Sequence, residues 1–139
     1  MELGICTSFA PGMSFEVAIP LIAEAGFTAT SLGGVPALAG YDTAENRQKL
    51  EKLLGQYHLG IDSVHAPFPD GDRLFSEDES ERLHSLECGR LALDAAAELD
   101  GKVVVIHLIQ PYGVPPGEKR DRMLEQGRRS VASLAEYAA

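Results

Sequence analysis

No apolar run in this chain approaches the ~20 residues that a membrane-spanning helix needs, so no such span is expected. Cysteine is scarce. Cys6 and Cys88 are the two thiols; they have no local motif and read as small buried residues, not as a disulfide framework. Clustered positive charge is also missing. Lys and Arg number 12 against 21 Asp and Glu, a formal net charge of −9. The densest basic group, Lys119, Arg120 and Arg122 followed by Arg128 and Arg129, falls on one helical segment and reads as a solvated face. Proteins that track phosphates need a concentrated basic patch, so no nucleic-acid partner is expected. There is no Gly-x-Gly-x-x-Gly, no P-loop and no Gly-x-Ser-x-Gly, and Gly33-Gly34 is not a dinucleotide fingerprint. Met1-Glu2-Leu3-Gly4 carries no basic n-region and leads into a strand, so a cytoplasmic location is the default expectation.

What is present is an alternation of short apolar strands with amphipathic helices. At 139 residues the chain is expected to be one domain with a substantial core. Leu3 to Phe9 reads as the first strand. Ser14 can cap a helix whose apolar face is Phe15, Ala18, Leu21, Ile22 and Ala25, with Pro20 bending it or shifting its start and Gly26 ending it. Phe27 to Leu32 is the second strand, and a long loop runs from Gly33 to Tyr41. Asp42-Thr43-Ala44-Glu45 resembles a capping box for a helix striped by Leu50, Leu53, Leu54 and Tyr57. Ile61 to His65 is the third strand.

Ser76-Glu77-Asp78-Glu79 is a second capping box, rich in acid where the helix dipole favours it. Its helix runs to about Leu99 and stops at Asp100-Gly101. The fourth strand, Lys102 to Ile109, is apolar without alternation, the pattern of a strand covered on both faces. A last helix places Leu124, Gly127, Val131, Leu134 and Ala138 on one side. This order predicts an α/β fold with a barrel-type parallel sheet of about four βα units. An open flavodoxin-like sheet suits the length, but only Thr7-Ser8-Phe9-Ala10-Pro11 offers a weak phosphate-binding first loop.

The loops are unequal. Those after helices are brief, whereas those after strands are long and hold most of the Pro, together with aromatics and Gly. Functional loops gather at one end of such a scaffold, here the carboxyl ends of the strands. His65 and His107 each close an apolar run and open one of these loops. Two imidazoles on successive strands favour a pocket role over a satisfied core role, although two nitrogens do not complete a metal site. Phe9, Phe68 and Tyr112 lie just past strand ends; they either floor a substrate pocket or cover the barrel mouth. Asp70 and Asp72 flank Gly71, and turn chemistry is the preferred reading for both. Asp62, near the start of its strand, belongs to the opposite end. His58 and His84 are expected on the surface.

Ala25-Gly26-Phe27, the His65-Ala66-Pro67 step and the apolar run ending at His107, taken in order, resemble the first half of a xylose-isomerase-like TIM barrel. That superfamily includes sugar-phosphate isomerases and epimerases and zinc-dependent apurinic endonucleases. The resemblance implies four of eight units. It also implies a small sugar or sugar-phosphate substrate, a divalent metal (Mn, Mg, Co or Zn) and proton transfer through an ene-diol. From the endonucleases it would carry zinc ligation onto His65 and His107; from the epimerases, a substrate-lining role. Where the family often has a Glu near the end of the second strand, this chain has Ser31.

The carboxylate pair that moves the proton is implied to lie beyond Ala139. A soluble four-unit sheet must cover its inner face, so a homodimer of half-barrels or a missing C-terminal half is expected. The alternatives are a non-catalytic half-barrel that self-assembles, or a fragment of an apurinic endonuclease-like zinc enzyme.

Overall fold

A computed structural model describes residues 3–108 and 111–139. Four strands form one parallel sheet in the order β1 (Gly4–Cys6), β2 (Ala29–Leu32), β3 (Gly60–His65) and β4 (Val103–Val105). Between them run α1 (Phe15–Glu24), the single turn α2 (Pro36–Ala39), α3 (Ala44–Tyr57) and α4 (Glu79–Glu98), and α5 (Glu118–Tyr137) follows β4. This is the four-unit β/α arrangement that the alternation predicts. Among the described residues no helix is long and apolar enough to cross a membrane.

The elements differ from expectation in ways that have local causes. The first strand ends at Cys6, because Thr7–Phe9 turns into a 3-10 helix. The buried Thr7 Oγ1 accepts the Gly33 amide at 2.9 Å and ties the exits of β1 and β2 together. Phe27 and Thr28 lead into β2 without joining its ladder. α1 continues through Pro20, and Ser14 sits at its N-cap position without a side-chain capping bond. The caps of the next two long helices are each one or two residues later than the sequence pattern suggests. Thr43 accepts from the Asn46 amide, and Asp78 accepts from the amides of Ser80 and Glu81. The apolar run predicted as the fourth strand pairs only over Val103–Val105, and its expected end at Ile109 lies outside the described residues. On α5 the buried side is Met123, Gly127, Ser130 and Leu134, whereas Val131 and Ala138 are exposed.

The turns from helix to strand are compact. After α1, Gly26 (φ 85°) is left-handed, and the Gly26 and Phe27 amides return to Ala23 and Ile22. α3 and α4 end in the same way, with the non-glycine residues His58 (φ 55°) and Asp100 (φ 56°) in that position. These tight returns fix where each following strand begins.

The main core lies between the sheet and its helices. Phe15, Ala18, Ile19, Ile22, Leu50 and Leu54 from α1 and α3, with Ala92, Ala95 and Ala96 from α4, pack over Leu32 and Val64. A second cluster of Leu74, Phe75, Leu86, Met123 and Leu134 joins α4 to α5. The opposite face of the sheet carries no helix. Val103 is 52% exposed and Val105 36%, so β4 is covered on one face and not on both.

Register explains which residues fall on each face. Thr30 pairs with Ile61, but Ser31 pairs with Ser63, so Asp62 is an extra residue in β3. A bulge of this kind re-aims the side chains that follow it. Ile61 and Val64 both reach the helix-side core, although three positions separate them. Asp62 and Ser63 share the other face with Ser31. Ser63 Oγ donates to Ser31 Oγ at 3.1 Å, and Ser31 Oγ donates to Asp62 Oδ2 at 3.3 Å. Were all five residues from Ile61 to His65 to alternate regularly, with no bulge, Val64 would fall on the open face and His65 would turn into the helices.

Candidate substrate and metal site

His65, the last residue of β3, therefore projects onto the open face, where it meets His107. Their Nε2 atoms are 3.0 Å apart and the rings stand edge to face at 4.6 Å. The two histidines singled out by sequence are thus one unit at the carboxyl ends of adjacent strands. His65 is held from several sides. Its Nδ1 lies 2.7 Å from the Ala66 carbonyl oxygen, and its own carbonyl accepts the Tyr41 hydroxyl at 2.6 Å. Burial, and then the nearby Cys88, push the Tyr41 phenol upward, so it stays a protonated donor.

Phe68 forms the wall of the site. Its ring lies edge to face with His107 at 4.6 Å and with His65 at 6.3 Å. The Phe68 amide donates to the Gly34 carbonyl at 2.8 Å, which brings the loop after β3 against the loop after β2. Gly34 leaves the room this needs. A Cβ there would stand 2.9 Å from His65 Nδ1 and 3.0 Å from the Phe68 Cβ.

Phe9 and Tyr112 are not brought to the histidines by any aromatic contact among the described residues. Phe9 is exposed in the 3-10 turn after β1. Tyr112, 89% exposed, borders a separate groove with Arg73, Glu77, Glu81 and Lys119. Asp62 lines a cleft at the amino ends of the strands with Thr28, Glu51, Glu98 and Lys102. His58 and His84 are exposed as expected. The basic residues of α5 face acceptors: Arg122 pairs with Glu77, Arg128 with Glu125, and Arg129 bonds Gln126.

Two contributors escaped the sequence reading. Tyr41 was the end of a loop. Asp72 reads from sequence as a turn residue, and its amide does close a turn onto the Pro69 carbonyl. Its carboxylate, however, is largely buried and lies 3.7 Å from His107 Nδ1. That nitrogen is itself buried without a hydrogen-bond partner.

The tautomers follow from these contacts. A carbonyl oxygen only accepts, so His65 carries its proton on Nδ1 and, when neutral, offers a lone pair at Nε2. The Nε2 pair suits one metal ion in part. Two nitrogens on a tetrahedral zinc, each at about 2.0–2.1 Å, stand roughly 3.3–3.4 Å apart, close to the 3.0 Å found here. Among the described residues, no group of three or more His, Cys, Asp or Glu side chains is placed to hold a metal. The two imidazoles alone would leave a tetrahedral ion short of two ligands.

The chain matches the family model of the xylose isomerase-like TIM barrel over residues 19–139. The protein belongs to this family. Its architecture is that of half such a barrel. A D-tagatose 3-epimerase-like protein is 26% identical, with a TM-score of 0.78, and the match covers 99% of this chain and 49% of that one. The 3-keto-D-glucoside 4-epimerase YcjR from E. coli is 20% identical at a TM-score of 0.73, covering 99% and 52%. A D-psicose 3-epimerase, solved in the presence of D-fructose, is 17% identical at 0.74, covering 99% and 48%. The chain thus spans about half the length of these structures. No curated protein matches it in sequence.

Proposed function

We propose that this chain supplies the first half of a metal-assisted sugar or sugar-phosphate isomerase/epimerase barrel. In this reading His65 and His107 form a two-nitrogen seat for a divalent cation beside the substrate, and Phe68 is the wall against which the sugar lies. The observation that carries it is the convergence of two Nε2 atoms at 3.0 Å on the open face of the sheet. Support for the substrate class comes from the structural neighbours, which are named as sugar epimerases.

A divalent cation held there would draw adjacent sugar oxygens together and polarise a carbonyl, easing removal of the neighbouring carbon-bound proton on the way to an ene-diol. The chain's own residues prepare that place. The Ala66 carbonyl fixes the His65 tautomer and leaves Nε2 as a donor atom. Tyr41 anchors the backbone of the same residue. The half-exposed ring of Phe68 gives the carbon-bound face of a sugar an apolar surface. No paired carboxylates stand at the described strand exits beside the histidines, so the proton-transfer pair belongs to another part of the working barrel, either a C-terminal half or a second copy.

Equilibrium dialysis of the chain against Mn²⁺, Co²⁺ and Zn²⁺ tests the seat. One retained cation per chain is expected, lost in the double variant His65→Ala/His107→Ala with an unchanged circular dichroism spectrum. Retention that survives the double change overturns the reading.

A further inference from the structure

The sheet ends in two unlike flanks. β1 pairs only with β2 and β4 only with β3, so both outer edges are free among the described residues. Each edge strand is three residues, Gly4–Cys6 and Val103–Val105, with no Pro and no charge to block a further strand. The helices beside these edges are also open outward. α1 packs on α3 and turns Glu16 toward Lys49, which leaves Val17, Leu21 and Glu24 exposed on its far side. α5 packs on α4, with Arg122 at Glu77 and Tyr137 at Asp94, which leaves Arg128, Val131 and Ala135 exposed on its far side. Charge divides between the flanks too. The first 46 residues hold five acidic side chains and no Lys or Arg, whereas residues 119–129 hold five of the 12 basic ones.

We propose that two copies of this chain close on each other about a two-fold axis parallel to the strands. β1 and α1 of one copy meet β4 and α5 of the other, and the same seam forms twice. Each seam joins two free edges and brings Val17 and Leu21 of α1 to the side of α5 that bears Val131. The open face, with Val103 and Val105 exposed, becomes interior. Charge selects this occupant. The acidic flank calls for a cation-bearing one, the basic flank for an acidic one, and a second copy presents both at once. Rotation about that axis keeps every strand parallel, and the closed pair leaves no edge for a third copy. The proposal does not depend on a cation between the histidines.

The test is light scattering on a sizing column, with the full chain and no added metal, across a range of concentrations. A mass of two chains, twice 14.9 kDa, is expected. The double variant Val17→Asp/Leu21→Asp should raise the dimer dissociation constant roughly 100-fold, because its carboxylates would be buried against apolar side chains. Val131→Asp on the other flank should act in the same direction. All three positions are exposed in the single chain, so the circular dichroism spectrum should not change. Leu83→Asp, exposed on α4 away from both flanks, should leave the dimer intact. A wild-type monomer at every concentration overturns the proposal and leaves the face to a C-terminal half. A dimer that survives substitution of both flanks, or open-ended oligomers, overturns it as well.

Discussion

The two faces of the sheet follow different rules. Toward the helices stand Leu32, Val64 and Ile61, with Val104 and Ile106 packed against the same core. Toward the open side stand Cys6, Ser31, Ser63 and Val103, which share one row of the register, and then His65 beside Val105. The first face is large, apolar and closed. The second mixes small and polar residues with the exposed valines of β4, and it carries the imidazole pair. One backbone feature, the extra residue at Asp62, separates them within β3. The comparison teaches that stability and chemistry occupy opposite sides of the same strands, and that a single residue of phase decides which side His65 serves.

The largest effect should come from inserting one alanine between Ser63 and Val64. The added residue exchanges Val64 and His65 between faces, which removes apolar burial and sets an imidazole against the helices. A loss of about 3–5 kcal/mol in urea unfolding is expected, combining one buried aliphatic side chain with one poorly partnered polar group, together with loss of cation retention. Next, Leu32→Ala on the closed face should cost about 2–5 kcal/mol, whereas Val103→Ala on the open face should stay within about 0.5 kcal/mol. Equal costs would erase the distinction between the faces. A smaller effect is expected at the site itself. Gly34→Ala forces a methyl group against His65 and Phe68 and should cost about 1–3 kcal/mol, with displaced imidazole resonances of His65 and His107. The smallest effect is a gain. His58→Gly relieves a left-handed non-glycine residue at φ 55° in a helix-to-strand turn and should raise stability by up to about 1 kcal/mol, without touching the imidazole signals.

Much of this is legible in the sequence. The βα alternation predicts the sheet, and the contrast between brief and long loops predicts its working end. The two histidines stand together because they end adjacent parallel strands, which chain order alone indicates. What stayed hidden has physical causes. Caps moved to Thr43 and Asp78 because each neighbouring pair of polar residues offers two chemically similar capping oxygens, and packing selects one. The fourth strand looked doubly covered because its valines are uniform, yet only one face has helices to meet. Asp72 was hidden by its own turn: the backbone role is readable from Asp70-Gly71-Asp72, whereas the carboxylate's approach to His107 depends on a strand thirty-odd residues away. The bulge did leave a trace. Ile61 and Val64 are three apart where a regular strand would space its core residues by two, and that mismatch was the available signal.

The most direct test of the central claim is a crystal of the chain grown with zinc and measured at the zinc absorption edge. An anomalous peak is expected about 2.0–2.1 Å from Nε2 of both His65 and His107, with Val64 in the helix-side core and Asp62 bulged from β3. A peak that avoids the pair, or a His65 buried among the helices, would contradict it.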